Sequence, residues 1–227
     1  MAILDLSFSW PLDERGYEIA APPARARRAK LSTILGDPPE GPRLLRRGGP
    51  LRWHRPLEFH PTLFLDFTKL AGGPPEAYTT FASRFGYLGF FPDSSPQGPS
   101  DLVGPGGEPL LLWEDSATRM RDAVEAWRTD PMSLCQGEHA LRVSTLDVML
   151  APSPPDGRPS LRILPRSLIG AMWLQFAQHV SSGLKVKICS QCANWFEVGG
   201  DARRIDAQFC SDACRVTHNN LRKRRAK

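Results

Sequence analysis

The alternation of apolar and polar positions begins at once. Ile3–Trp10 (ILDLSFSW) switches character at nearly every step, a period of two that predicts a strand. Residues 21–56 follow no period and are rich in Pro, Arg and Gly, which predicts an irregular surface region with a short strand near Leu44 or Trp53. Pro61–Leu70 (PTLFLDFTKL) carries apolar residues at helical spacing and is closed by Gly72 and Gly73. The next segment, PPEAYTTFASRFG, has Pro in its first turn and stops on Gly86, as a helix does. Residues 92–109 predict a Pro/Gly/Ser loop. Trp113–Arg128 places Trp113, Ala117, Met120, Val124 and Trp127 on one face of an amphipathic helix. Leu141–Leu150 and Ser160–Leu164 are strand-like runs, joined through the turn signal Asp156-Gly157 into a long-looped hairpin. A helix opened by Pro165 and ending near Gly183 is apolar almost all round, which predicts burial.

This order of elements predicts an α+β fold. Residues 1–183 form a mainly helical domain with a small antiparallel sheet. Residues 184–227 form a small module of a β-hairpin and a helix. No internal repeat is visible.

Charge sharpens that division. The 227 residues carry a formal +5. Ten basic residues against four acidic ones give residues 184–227 a charge of +6, leaving −1 for the rest. Such asymmetry points to a polyanionic partner for one module. No run approaches the ~18 apolar residues of a membrane span; the nearest, Leu168–Val180, is shorter and contains Gln175, Gln178 and His179. The N-terminus has acids at Asp5, Asp13 and Glu14 and no basic region ahead of an apolar stretch, so it does not read as a secretory signal. The expected compartment is the cytoplasm, where thiols stay reduced and clustered cysteines favour a metal over disulfides.

The C-terminal segment holds Cys189-x2-Cys192, 17 intervening residues, and Cys210-x3-Cys214. Two close cysteine pairs at this separation are a zinc pattern. The first pair presents two thiolates from a tight turn, and the second shares one face of a helix start. Four thiolates close a tetrahedral site, so one structural Zn2+ is expected and no catalytic one. Trp195, Phe196 and Phe209 are placed to pack around it, with Gly199 and Gly200 turning a hairpin. His218, four residues after Cys214, is a conceivable substitute ligand. Cys135 stands alone and reads as a small buried residue or, failing that, a reactive thiol.

The pattern C-x2-C-x3-F, then F-C-S-x2-C-R and an Arg/Lys-rich end, resembles the C-terminal fingers of bacterial CGNR-type zinc-finger proteins. The match is partial: where that signature has Cys-Gly-Asn-Arg, this chain has Cys214-Arg215-Val216-Thr217. FASRFGYLG and PRSLIGAMWLQFA are also similar to stretches preceding such fingers. The resemblance covers about forty residues. It implies zinc ligation by Cys189, Cys192, Cys210 and Cys214, and a DNA-binding, transcription-regulating role.

From Ser211 the chain reads as a helix with Cys214, Thr217, His218 and Leu221 toward the metal. Arg215, Asn219 and Arg222 share another face, and Lys223, Arg224 and Arg225 extend the charge. Arg203 and Arg204 approach from the hairpin. Arg and Lys contact phosphates, and Arg and Asn read base edges in the major groove. These residues are the expected contacts to double-stranded DNA; few aromatics are available to stack on single strands.

No catalytic constellation is evident: there is no phosphate-binding Gly-rich loop ending in Lys-Ser/Thr and no GxSxG. His54, Glu58 and His60 fit no recognised metal motif, and no His lies between Cys192 and Cys210 for a two-knuckle nuclease. The chain is therefore expected not to be an enzyme. A second reading makes the finger a surface for another protein or for a second copy of the chain. Residues 1–183 would then bind a ligand or partner, and Trp195, Phe196 and Val198 would form an exposed apolar patch.

Overall fold

Short strands in this chain are defined less by their own composition than by the partners they find. A computed structural model describes residues 8–21, 41–89, 107–135, 146–153, 158–199 and 203–225. β1 (Trp10–Asp13) pairs antiparallel with β4 (Leu51–His54), and β2 (Tyr17–Ala20) with β3 (Arg43–Arg46). β3 then pairs with the two-residue β5 (Glu108–Pro109). Leu44 and Trp53 thus both lie in strands, where a single strand was expected. The opening strand starts at Trp10, later than predicted; residues 3–7 lie outside the described residues. Most of the expected 92–109 loop also lies outside them, but Glu108 and Pro109 are strand. β6 (Leu146–Ser153) and β7 (Arg158–Pro165) form the predicted hairpin, with Leu146 opposite Pro165; its Asp156-Gly157 turn lies outside the described residues.

The helices are α1 (Pro56–Phe59), α2 (Leu63–Thr68), α3 (Pro75–Phe85), α4 (Leu110–Thr129), α5 (Leu168–Ser181) and α6 (Asp212–Arg225). With the small antiparallel sheets they make the α+β fold that the sequence predicts. Pro165 ends β7 and does not open α5. That helix starts three residues later, where the buried Ser167 Oγ accepts from the Gly170 N–H at 3.1 Å. From Leu168 to Phe176 the helix is buried except for the half-buried Trp173, while residues 177–180 are only half-buried. Cys135 ends a 3-10 turn, Pro131–Cys135, that turns Leu134 inward and leaves the thiol exposed, so it is not the small core residue expected. Among the described residues no helix is long and apolar enough to cross a membrane.

The chain divides into two compact units, residues 1–120 with 143–175, and residues 121–142 with 176–227. In the first, the apolar face of α3 (Tyr78, Phe81, Ala82, Phe85) packs against β1 and β2. The rings of Phe67 and Phe81 lie 5.3 Å apart, and Trp113 stands roughly edge-on to both at 6.3 and 6.2 Å. Two buried carboxylates tie the backbone around this core. Glu108 accepts from the Leu88 and Gly89 N–H groups at 2.9 and 2.6 Å and from the Trp113 indole at 2.8 Å. Asp13 accepts from the Arg46 guanidinium at 2.9 Å and from the Arg15 and Gly49 N–H groups. A buried charge is tolerated only when its lone pairs are satisfied in this way. Gly86, at φ 93°, lets the chain leave α3 beneath β1, because a Cβ there would meet the Pro11 carbonyl at 2.6 Å.

In the second unit, Val124 and Trp127 of α4 are buried, and Trp127 stands edge-on to Phe176 at 5.7 Å. The remainder of this unit is built around the cysteines.

Candidate metal centre

β8 (Lys185–Ile188) and β9 (Trp195–Val198) pair antiparallel with Ile188 opposite Trp195, and the turn between them carries Cys189 and Cys192. The knuckle is set by the backbone. The Ala193 N–H donates to the Cys189 carbonyl at 3.0 Å, and the Cys189 N–H donates to the Asn194 carbonyl at 2.9 Å. Ala193 adopts φ 57°, the one non-glycine with positive φ among the described residues. A tight turn that aims two side chains at one point demands such a residue. The Ser190 N–H, donating to the Gln208 carbonyl at 3.0 Å, brings the second cysteine pair alongside.

Cys210 and Cys214 bracket the start of α6. Ser211 caps that helix, its Oγ accepting from the Cys214 N–H at 3.2 Å. The second pair is thereby fixed relative to the helix axis. The four sulfurs lie within 4.8 Å of one another. Cys192 and Cys214 each lie 3.5 Å from Cys210. These separations are far longer than a disulfide's ~2.05 Å. They sit near the ~3.8 Å edge of a tetrahedron with ~2.3 Å metal–sulfur bonds. The four cysteines could therefore hold a metal ion. Among the described residues they form the one cluster of this kind.

The electrostatics fit a cation. At Cys189 burial acts to raise the thiol pKa, but N–H groups of Cys192, Cys210 and Gln191 outweigh it and hold the group down to about 6. Cys210 is pushed up to about 12, first by burial and then by the neighbouring Cys214, Cys192 and Cys189. Thiolates packed this closely oppose one another's ionisation unless a positive ion sits between them. Cys189, Phe196 and Val198 form the small buried core, with Ala207, Phe209, Cys210 and Cys214 against it. Phe196 and Val198 are thus interior, not part of an exposed patch, and Trp195 is half-buried.

The other anticipated ligands are elsewhere engaged. His218 lays its ring against Phe209, centroids 5.1 Å apart. His54 Nε2 is 3.2 Å from the Phe85 carbonyl, and the His60 ring abuts Phe85 edge-on. One pair escaped sequence reasoning. His179, in the last turn of α5, faces Glu197 of β9, with side chains only 18% and 9% exposed. No local pattern marks either residue; the pair forms because the end of α5 meets β9.

The basic residues lie along α6 and in the segment that precedes it. Arg215, Asn219 and Arg222 recur at i, i+4 and i+7 along α6 and are exposed, as are Lys223 and Arg224. The Arg225 side chain lies outside the described residues. Arg215 pairs with Asp212 at 2.9 Å and Arg204 with Asp206 at 3.1 Å, both exposed pairs that exchange readily with solvent. Arg203 sits 5.9 Å from the Phe196 ring centroid. Arg222, Lys223 and Arg224 make no ion pair among the described residues. Thr217 and Leu221, expected on the side toward the metal, are exposed. No protein-family model matches the chain, and comparison with curated proteins finds no match.

Proposed function

We propose that the C-terminal module is a structural zinc finger that binds double-stranded DNA and serves transcriptional regulation. The supporting observation is the junction of the four-sulfur cluster with an exposed basic helix. Cys214, in the first turn of α6, belongs to the cluster, and the same helix carries Arg215, Asn219, Arg222, Lys223 and Arg224 on exposed positions. An all-thiolate tetrahedral donor set is the chemistry zinc prefers among abundant divalent ions. It leaves no position for water, so the ion holds shape and the role is binding, not catalysis. α6 is then a rigid rod aimed by the metal, with guanidiniums for phosphates and Arg215 and Asn219 for base edges. Arg203 and Arg204 add phosphate contacts from the hairpin side.

A second reading is favoured by a different observation. Ile188, Ile205, Val216 and Leu221 are 47%, 58%, 53% and 41% exposed on the same module, apolar surface that a protein partner or a second copy of the chain would cover. One experiment separates the two. Zinc-loaded protein is titrated onto mixed-sequence duplex DNA across a salt series. Four phosphate contacts imply roughly a hundredfold loss of affinity between 50 and 200 mM salt. Replacing Arg222, Lys223 and Arg224 with Ala should weaken binding at every sequence and flatten the salt slope by about 3. No detectable binding at low salt would sink the DNA reading, and one zinc per chain by metal analysis is required for both.

A further inference from the structure

The first unit carries a second, unrelated concentration of positive charge. The turn between β1 and β2 and the exposed side of α3 bound a groove of about 350 Å³ lined by Arg15, Arg47, Arg84, Thr79, Thr80 and Ser83, with Gly16 and Tyr17 and no carboxylate. We infer that this groove binds the phosphoryl group of a phosphorylated ligand.

Three separate segments deliver the arginines. Arg15 comes from the β1–β2 turn, Arg47 from just after β3, and Arg84 from the last turn of α3. Thr79, Thr80, Ser83 and Arg84 fall on one face of α3. Gly16, at φ 79°, lets the turn pass close over that face; a Cβ there would stand 3.0 Å from Ser83 Oγ.

Of the three arginines, one has an acidic partner, and that pair is exposed. Arg15 and Arg84 have no ion pair among the described residues, and Arg84 lies 5.0 Å from the Phe85 ring centroid, which holds it in place. Arg47 meets Glu18 at 3.5 Å, but both side chains are over half exposed, so an incoming dianion displaces that contact at little cost. Asp13, the nearest buried acid, already accepts from Arg46, Arg15 N–H and Gly49 N–H.

Donor inventory then selects the ligand class. Thr79 and Thr80 donate to the Glu76 carbonyl at 2.9 and 2.8 Å, leaving Ser83 as the α3 hydroxyl able to donate into the groove. Three forked guanidiniums and one hydroxyl exceed what a carboxylate accepts, and match the oxygens of a tetrahedral dianion. The volume is at the lower end for ligand sites, room for a phosphoryl group with a small organic body. The phosphoryl group has two available sources, a small phosphate monoester or the backbone of a nucleic acid.

The test uses the full zinc-loaded chain and calorimetry with pyrophosphate, adenosine monophosphate and adenosine. The two phosphorylated probes should bind with Kd below about 1 mM, and adenosine should not. Arg15→Ala and Arg84→Ala should each weaken binding roughly tenfold, the loss of one charge-assisted contact. All three arginines are exposed, so these variants fold. Absence of phosphate binding, or binding unchanged in the double variant, overturns the proposal. The same variants, measured on duplex DNA, distinguish the sources: lost DNA affinity assigns the groove to backbone phosphates, and unchanged affinity assigns it to a small ester. The inference stands apart from the finger, because Arg222→Ala should leave pyrophosphate binding intact.

Discussion

The chain has three tyrosines, Tyr17, Tyr78 and Tyr87, and each phenol is buried. Burial is the first cause of a raised pKa at all three: Tyr17 is pushed from 10.0 up to about 12, and Tyr78 and Tyr87 also move up. Glu108 adds to the effect at Tyr17 and Tyr87, while Arg46 opposes it. The sign follows from linkage. A folded-state pKa above the unfolded one means that the fold prefers the neutral phenol. That stability is complete below pH 10.0 and is lost as pH rises through about 12. For Tyr17 alone it is of order 2–3 kcal/mol. Tyrosinate absorbance in an alkaline titration should therefore stay flat past 10.0 and rise only together with unfolding. A tyrosine that ionises reversibly near 10.0 in the folded chain contradicts this packing.

At the scale of elements, the first turn of α6 would decide how firmly a metal is held by the four cysteines. Ser211 caps it and Cys214 lies within it. Removing a capping hydroxyl costs about 1 kcal/mol. Ser211→Ala should then weaken metal retention about fivefold in a competition with a chelator, and Ser211→Asp should preserve it. Equal retention in the Ala variant would mean that the cap does not position Cys214. The cysteine pairs and a helix beginning near Ser211 were legible because their chemistry is local in sequence. So was the α4 stripe: Trp113, Ala117 and Met120 are fully buried, as helical periodicity requires. Pairings between distant segments were not. β3 is four residues, flanked by Pro42 and Arg47, and it becomes a strand because Tyr17–Ala20 lies along it. β5 is a strand only through Leu44 and Arg43. Glu108 looked like a loop acid, yet three N–H donors hold it in the interior. His179 and Glu197 are 18 positions apart, and neither carries a local sign of the other.

For the whole molecule, the two units draw their stability from different sources. The first rests on an aromatic core and satisfied buried carboxylates. The module of β8, β9 and α6 has a small core of Cys189, Phe196 and Val198, with Val186 of β8 also buried. At ~25 cal/mol per Å2 such a core supplies a few kcal/mol at most, less than the entropy of ordering the segment. On the zinc reading proposed above, metal binding, worth roughly 10–16 kcal/mol for structural zinc, supplies the difference. Stripping the metal with a strong chelator should therefore abolish amide protection in β8, β9 and α6. All three tyrosines lie in the first unit, so their alkaline transition should keep its midpoint. Acid acts in the same direction as the chelator, because protons compete with the metal for thiolates. A module that keeps its protection without metal would show that packing alone holds it, and the metal-centre reading would fail. A tyrosine midpoint that falls on chelation would show instead that the ion stabilises the chain well beyond its ligands.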